Sequence, residues 1–317
     1  MNRRTIIILV VLLVALAGLR FMQQRSHDNS LAQPDRVVLL PEFSMDDISR
    51  VELRGPISGE LILERSGSEW KIPSSYGHLA KQAKVDELAA ELVSLTGQFR
   101  SDREDVLADY GLADTTAVSL KLISTTGEES ANLLLGSTQS RGGLFLCEAG
   151  SNTVYASGSN LLGIFNLWGD AREPDARGFL DMTLWTWDAA QVESFDLIHS
   201  GNGMTFTRAA PDTLTGESVW LVDGLPAKTT VVDQVLTTLM NLKGKDLLNP
   251  RENHGMADAM RNAKIRLANG EEFSLWVGNG EGENGDVPIQ VAGQGAVYAL
   301  YSSYPDRIFK PKDEFLK

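Results

Sequence analysis

The sequence predicts an α+β protein in which an antiparallel sheet with one main amphipathic helix occurs twice, in tandem, after an N-terminal transmembrane helix. Three observations predict this organisation. A long apolar run without charges follows the N-terminus. Two helical segments far apart in the chain carry the same apolar stripe. Segments in which apolar and polar residues alternate, separated by glycine turns, follow each helix.

The apolar run extends from Thr5 to Leu19 and is flanked by arginines. At about 1.5 Å per residue a helix over this run is roughly 22 Å long. A bilayer core of about 30 Å is therefore spanned only if Arg20 snorkels and the helix continues to Met22. We predict an uncleaved anchor over residues 1–22. Because Ala15–Ala17 fits a signal-peptidase site, a cleaved signal peptide is the alternative.

The composition predicts the side of the membrane on which the remaining chain lies. The chain has 29 Lys and Arg against 42 Asp and Glu, a net charge of −13. Its first 25 residues hold only basic charges, so the rest is strongly acidic. This balance excludes nucleic acid as a partner. We expect a polar linker over residues 23–45 and a domain on the extracytoplasmic side of the membrane.

The two helices give the clearest evidence for a repeated unit. In each, apolar residues recur with helical spacing along one face, at Val85, Leu88, Ala89, Leu92 and Leu95 and again at Val232, Val235, Leu236, Leu239 and Leu242. A glycine follows each helix, Gly97 and Gly244, and we expect both to be left-handed C-cap residues.

Strands and turns repeat as well. Thr126-Gly127 and Asn269-Gly270 follow alternating apolar segments, which predicts hairpins. Gly111 and Gly255 lie in similar tripeptides, where a positive φ is expected. We therefore predict a first unit at 46–167, a Trp-rich bridge at 168–190, a second unit at 191–309 and a tail at 310–317.

The sequence offers few groups for chemistry. It has one cysteine, and its four histidines lie far apart, which argues against a metal site. The G-x-G-x-x-G pattern at 280–285 is acidic and precedes a strand, so a hairpin loop is the better interpretation. Residues 224–229 lack the glycines of a phosphate-binding loop. We predict no catalytic residue, no cofactor and no metal.

Three tryptophans in the bridge are the candidate surface residues: Trp168, Trp185 and Trp187. They either fill the junction of the units or form a surface for a protein partner or ligand, since aromatic residues are enriched in interfaces. An acidic cluster at Asp102, Glu104, Asp105 and Asp109 is the remaining candidate for hydrolysis, but its members share one loop.

The repeated pattern resembles the bacterial family called domain of unknown function 4340 over about residues 46–309. The residues that carry the resemblance are Trp70, Val85-Asp86, Tyr110-Gly111-Leu112, Leu135-Gly136 and Val154-Tyr155. The second unit departs from the family at His254-Gly255-Met256. The resemblance implies a single-pass envelope protein, often encoded beside gliding-type ABC-2 transporter subunits, and it brings no catalytic residue.

These observations lead to three expectations of function. The first is a non-enzymatic, membrane-anchored auxiliary or scaffold subunit that contacts an ABC transporter permease or another envelope protein. The second is a periplasmic binding module for an envelope glycan, peptide or lipid. The third and weakest is a hydrolase that uses the acidic cluster.

Overall fold

The structure is a computed structural model that describes residues 36–138, 142–168, 173–210, 219–257, 259–279 and 285–317. The predicted anchor at 1–22 and most of the predicted linker at 23–45 lie outside the described residues. Within the described ranges, none of the helices combines the length and the apolar character that a bilayer crossing requires.

The first group of elements extends to Ile164. It comprises β1 Arg36–Val38, β2 Ile48–Arg54, β3 Glu60–Ser66, β4 Glu69–Ile72, β5 His78–Leu79, α1 Gln82–Val93, β6 Thr96–Ser101, β7 Val118–Ser124, β8 Glu129–Thr138, β9 Leu144–Glu148, β10 Val154–Ser157 and α2 Leu161–Ile164. Short 3-10 helices lie at Met45–Asp47, Pro73–Ser75 and Glu104–Tyr110. Strand β1 lies within the predicted linker and pairs with β6, so part of that segment belongs to the sheet.

The second group begins after 3-10 turns at Ala176–Gly178 and Ala189–Gln191. It comprises β11 Val192–His199, β12 Asn202–Ala209, β13 Val219–Val222, β14 Leu225–Pro226, α3 Thr229–Met240, β15 Asp246–Leu248, β16 Arg261–Leu267, β17 Glu272–Val277, β18 Val287–Val291, β19 Val297–Leu300, α4 Ser303–Ile308 and α5 Lys312–Phe315.

These strands form two sheets. Among the described residues, one sheet has ten strands in the order β1-β6-β10-β9-β8-β7-β2-β3-β4-β5, and the other has nine in the order β14-β13-β12-β11-β16-β17-β18-β19-β15. Sequential neighbours such as β7–β8 and β16–β17 pair antiparallel. The predicted α+β class with mostly antiparallel sheet is confirmed.

The described residues divide into two compact units. Unit 1 comprises those of residues 1–60 and 86–175, and unit 2 comprises 61–85 and 176–317. The core of unit 2 includes Phe195 and Phe206, whose rings stack with centroids 4.3 Å apart, and Trp220, which is fully buried. Each large apolar side chain that is removed from water in this way stabilises the fold by roughly 1.5–3 kcal/mol.

Both predicted helical stripes face the core. Val85, Leu88 and Leu92 of α1 are at most 1% exposed. Val232, Val235 and Leu239 of α3 are fully buried. The apolar spacing thus correctly predicts which face of each helix packs inward.

The prediction for the two glycines after the helices is wrong. The helices end at Val93 and Met240, and neither Gly97 nor Gly244 has a positive φ. Both positions require glycine because a Cβ would overlap a tyrosine side chain. A Cβ on Gly97 would lie 2.7 Å from Cβ of Tyr155, and one on Gly244 would lie 3.1 Å from Cβ of Tyr298. The absence of a side chain lets a tyrosine cross the backbone at each position.

The predicted glycine turns are confirmed. Gly127 and Gly270 have φ values of 86° and 88° in the turns of the β7–β8 and β16–β17 hairpins. Gly111 and Gly255 have φ values of 70° and 68°. An L side chain rarely adopts this conformation, so the turns depend on glycine.

Candidate binding cleft in unit 2

A cleft of about 410 Å³ opens in unit 2. Its wall includes the apolar side chains of Leu79, Leu247, Pro250 and Ala296. Pockets that bind small ligands or single side chains have this mixture of apolar walls and a few polar groups. The cleft is therefore a candidate binding site in the part of the chain that the structure describes.

The β4–β5 hairpin supplies one wall of the cleft. Its turn contains Tyr76 and Gly77 with φ values of 57° and 71°. The turn directs His78 towards Asp181, and Nε2 of His78 lies 2.6 Å from the backbone carbonyl oxygen of Asp181. Since that oxygen only accepts, Nε2 carries the proton and donates it. The imidazole therefore holds the hairpin against the segment that contains Asp181.

Tyr298 of β19 forms the floor. Its side chain is 1% exposed, and its ring lies edge-on to that of His78 with centroids 5.5 Å apart. The hydroxyl donates to Oε1 of Gln294 over 3.3 Å, and Nε2 of Gln294 donates to the carbonyl of Leu184 over 2.9 Å. Burial, with a smaller contribution from the charge of Asp181, raises the pKa of Tyr298 to about 12. The phenol is thus neutral at physiological pH and serves as a hydrogen-bond donor.

The geometry of the cleft fits binding better than proton transfer. The imidazole of His78 is engaged with a backbone carbonyl, and the phenol of Tyr298 is engaged with an amide. The surfaces that remain are mostly apolar, with Tyr76 half exposed at 56% on the rim. An aromatic or aliphatic group could be accommodated there.

The three predicted surface tryptophans have different environments. Trp185 and Trp187 are each 6% exposed in the core cluster of unit 2, with ring centroids 5.9 Å apart. Nε1 of Trp185 donates to the carbonyl of Leu239 over 2.7 Å. Trp168 belongs to unit 1 and is 66% exposed. Of the three, Trp168 alone presents its ring to solvent.

The other candidates for chemistry are part of local structure. In the acidic cluster, Asp105 accepts a hydrogen bond of 2.9 Å from Nε of Arg103 at the start of the 3-10 helix. Across the described ranges, no three His, Cys, Asp or Glu side chains are grouped so that they could hold a metal ion. Residues 280–284 of the glycine-rich pattern lie outside the described residues. Gly224 occupies the β13–β14 turn with a φ of 80°.

Cys147 is a buried thiol. It is 1% exposed on β9, and burial raises the pKa of its thiol to about 11. Because the thiolate is the reactive form, this cysteine is protected from oxidation and alkylation in the folded chain.

One comparison decides the family. The family model described as Domain of unknown function (DUF4340) matches residues 70–259. The chain belongs to this family. The match begins at Trp70, so the DUF4340 region includes the β4–β5 hairpin, both main helices and both glycine turns at Gly111 and Gly255. No curated protein and no solved structure matches the chain.

The cleft of this DUF4340 protein could not be predicted from local sequence patterns. Gly77 and His78 belong to the β4–β5 hairpin, which ends shortly before α1. Tyr298 lies on β19, in the second half of the chain. Their contact joins residues far apart in the chain, and the available signal was the pair of turn residues before His78.

Proposed function

We propose that this DUF4340 protein is a non-enzymatic auxiliary or scaffold subunit, anchored by residues 1–22 in the bacterial cytoplasmic membrane. Two homologous sequence repeats, at 46–167 and 191–309, would lie on the extracytoplasmic side. There they contact the permease of an ABC-type transport system or another envelope protein. The observation that carries the proposal is the strand order shared by the two sheets, with the same Arg–Trp packing at matching positions.

The strand orders support a duplication. Without its edge strand β1, the first sheet runs β6-β10-β9-β8-β7-β2-β3-β4-β5. The second, read from its other edge, runs β15-β19-β18-β17-β16-β11-β12-β13-β14. Strands at the same place in the two series follow one another in the same chain order, so that β2 matches β11, β3 matches β12, and so on to β10 and β19. Two unrelated sheets of nine strands would rarely agree in this way.

Side-chain contacts recur in the same places. The guanidinium of Arg65 lies 4.9 Å from the ring centroid of Trp70, and that of Arg208 lies 4.9 Å from the ring centroid of Trp220. Such cation–π pairs stabilise a fold by about 0.5–2 kcal/mol. The tryptophans are at most 3% exposed. Their rings are therefore core anchors and not platforms for a sugar.

The glycine turns recur with different side chains. Gly136 packs against the carbonyl of Tyr110, and Gly278 packs against that of His254. Nε2 of His254 lies 2.7 Å from the carbonyl oxygen of Asn249. His254 thus occupies the position of a tyrosine and helps to hold a turn, which supports a structural role in preference to that of a general base.

Photocrosslinking in native membranes tests the proposal. A photoreactive amino acid would replace Trp168, whose exposed ring is typical of interface anchors. Trp276, which is 36% exposed on unit 2, provides the matched control position. We expect adducts with an envelope protein at position 168 that exceed those at position 276. The absence of adducts at both positions would count against an envelope partner for these surfaces.

The cleft in unit 2 supports a second candidate, a periplasmic binding module. Its volume of about 410 Å³ is sufficient for a small ligand or a peptide side chain. Thermal shifts with three probes would test it: a muropeptide, an aromatic tripeptide and a short-chain phospholipid. One probe should raise the melting temperature of the full chain but not of the Tyr76→Ala variant. Identical shifts in both proteins, or no shift in either, would exclude this cleft as the binding site for these probes.

A further inference from the structure

The β4–β5 hairpin shows how one hairpin of this chain packs on a buried tyrosine. In unit 2, the turn at Tyr76 and Gly77 presents His78 to the ring edge of Tyr298, and the rings are nearly perpendicular at 83°. The backbone N–H of Asp181 donates to the carbonyl of Leu79 over 3.0 Å. Ring contact and main-chain contact together dock the hairpin.

The β13–β14 hairpin has the corresponding place in the second sheet, with a connection of two residues where the β4–β5 hairpin has five, residues 73–77. Val222 pairs with Leu225 as Ile72 pairs with His78. Its turn residues Asp223 and Gly224 have φ values of 49° and 80°. These agreements place Leu225 at the position of His78. Leu225 is 50% exposed, which makes an apolar side chain available at the tip of this hairpin.

Tyr155 is the counterpart of Tyr298 in unit 1. Each of these tyrosines crosses a glycine, Gly97 or Gly244, at a distance that leaves no room for a Cβ. Tyr155 is only half-buried. It lines a cleft of about 420 Å³ in unit 1 together with Val37 and Val38.

Apolar side chains near Tyr155 are exposed, while much of the cleft wall is polar. Val37, Val38 and Phe99 are 48%, 51% and 53% exposed on the adjoining strands β1 and β6. Phe99 is the cross-strand partner of Tyr155. Val37 pairs with Gly97 and therefore lies on the same face of the sheet as Phe99 and Tyr155, whereas Val38 lies on the opposite face. Exposed apolar residues are common singly, but a neighbouring group such as Val37, Phe99 and Tyr155 at a sheet edge is typical of a contact surface.

We propose that the β13–β14 hairpin of one copy docks with Leu225 against the Tyr155 surface of a second copy. The occupant is a copy of this chain because the chain itself contains the matching hairpin and the matching tyrosine, already joined once in unit 2. The two surfaces differ, so the contact is heterologous and copies associate head to tail. The inference rests on the equivalence of the hairpins and goes beyond the proposed envelope partner.

Anchoring strengthens a contact of this kind. A hairpin tip and a sheet edge bury a small area, which in free solution supports only weak association. Copies held in one membrane meet at a raised effective concentration. Head-to-tail association is then expected in the membrane even where dilute solubilised protein is largely monomeric.

Paired single-cysteine variants of the full chain test the contact in membranes. Leu225→Cys and Phe99→Cys, carrying different tags, would be co-expressed and treated with a short bismaleimide. The buried Cys147 stays unreactive under these conditions. We expect a mixed dimer when both variants are present and at least tenfold less product from either variant alone, because a heterologous contact brings the two different positions together.

Ile57→Cys, at a position that is 82% exposed in unit 1, replaces Phe99→Cys in the control. Equal crosslinking of Leu225→Cys to both partners would overturn the proposal, as would the absence of mixed dimer. Self-crosslinking of one variant alone would show an isologous contact and also overturn it. Adducts of position 168 with envelope proteins do not depend on this result, so the two proposals can fail separately.

Discussion

The indole of Trp185 donates its Nε1–H to the carbonyl oxygen of Leu239 over 2.7 Å, within the last turn of α3. Carbonyls in the last turn of a helix lack partners within the helix. The carbonyl of Leu239 also accepts from the backbone N–H of Leu242 over 3.1 Å, so the indole adds a further bond and ties the segment before β11 to the helix of unit 2. Trp185 is also 6% exposed in the core, so this residue combines packing with a buried hydrogen bond.

Replacement of Trp185 by alanine should destabilise the protein strongly. The variant loses the packing of a buried indole and leaves a buried carbonyl with one bond fewer. We expect a loss of about 3–5 kcal/mol in the free energy of unfolding. Trp168→Ala, at an exposed position, should change it by less than about 0.5 kcal/mol. Urea unfolding followed by circular dichroism measures both changes. A Trp185→Ala variant as stable as the wild type would show that Trp185 does not contribute to the core.

Two glycines that lie against a carbonyl provide a matched pair. Gly136→Ala and Gly278→Ala each place a methyl group against a backbone oxygen, that of Tyr110 or of His254. We expect each to cost about 1–3 kcal/mol, since overpacking forces the backbone to shift. Gly158→Ala serves as control because a Cβ there meets nothing within 4 Å. Thermal unfolding gives the comparison, and a large effect at only one member of the pair would argue against equivalent halves.

Local sequence patterns predicted the elements that local physics determines. The stripe that includes Leu88 in α1 and the stripe that includes Leu236 in α3 each fix a helix and its buried face, since the period of 3.6 places the apolar residues of one stripe together. Gly127 and Gly270 follow alternating strands and need no distant partner to form a hairpin turn. The same reasoning identified Gly111 correctly as a residue with positive φ.

Contacts between distant residues could not be predicted in this way. Gly97 and Gly244 were expected to end helices, but each makes room for a tyrosine from a later strand. The cleft at His78 depends on Tyr298, which lies far along the chain. The environments of Trp168 and Trp185 also depend on distant residues. The sequence around each tryptophan does not show which of the two rings packs against a helix.

The buried phenol of Tyr298 predicts a loss of stability in alkali. Its pKa of about 12 exceeds the ordinary value of about 10, so the unfolded chain loses this proton first as the pH rises. The stabilisation is fully present below pH 10 and declines as the pH rises towards 12. Tyr298→Phe should flatten the decline of the free energy of unfolding over this range. Tyr301→Phe, at a 55% exposed position, should leave it unchanged; equal slopes in all three proteins would refute the assignment.

The carboxylate of Glu173 predicts an effect of acid on unit 1. It accepts hydrogen bonds of 3.0 Å from the backbone N–H groups of Ile57 and Ser58, and a further one from Gly59. These bonds lower the pKa of Glu173, with the bond from Gly59 the largest cause. The stabilisation is present above the ordinary pKa and is lost as the pH falls through the lowered value.

Glu173→Gln should therefore be less stable than the wild type at pH 7, and the difference should shrink as the pH is lowered. The control is Glu128→Gln, at an exposed position of unit 1. Chemical unfolding of the three proteins at a series of pH values between 3 and 7 supplies the comparison. A difference that stays constant over this range would show that the charge of Glu173 does not hold the 57–59 turn.

Affinity capture of the tagged full-length chain from native membranes, after crosslinking and with quantitative mass spectrometry, tests the proposed role most directly. The account predicts that a transporter permease or another envelope protein is enriched over an untagged control. If only cytoplasmic proteins are enriched, or no protein at all, the account of an envelope scaffold is contradicted.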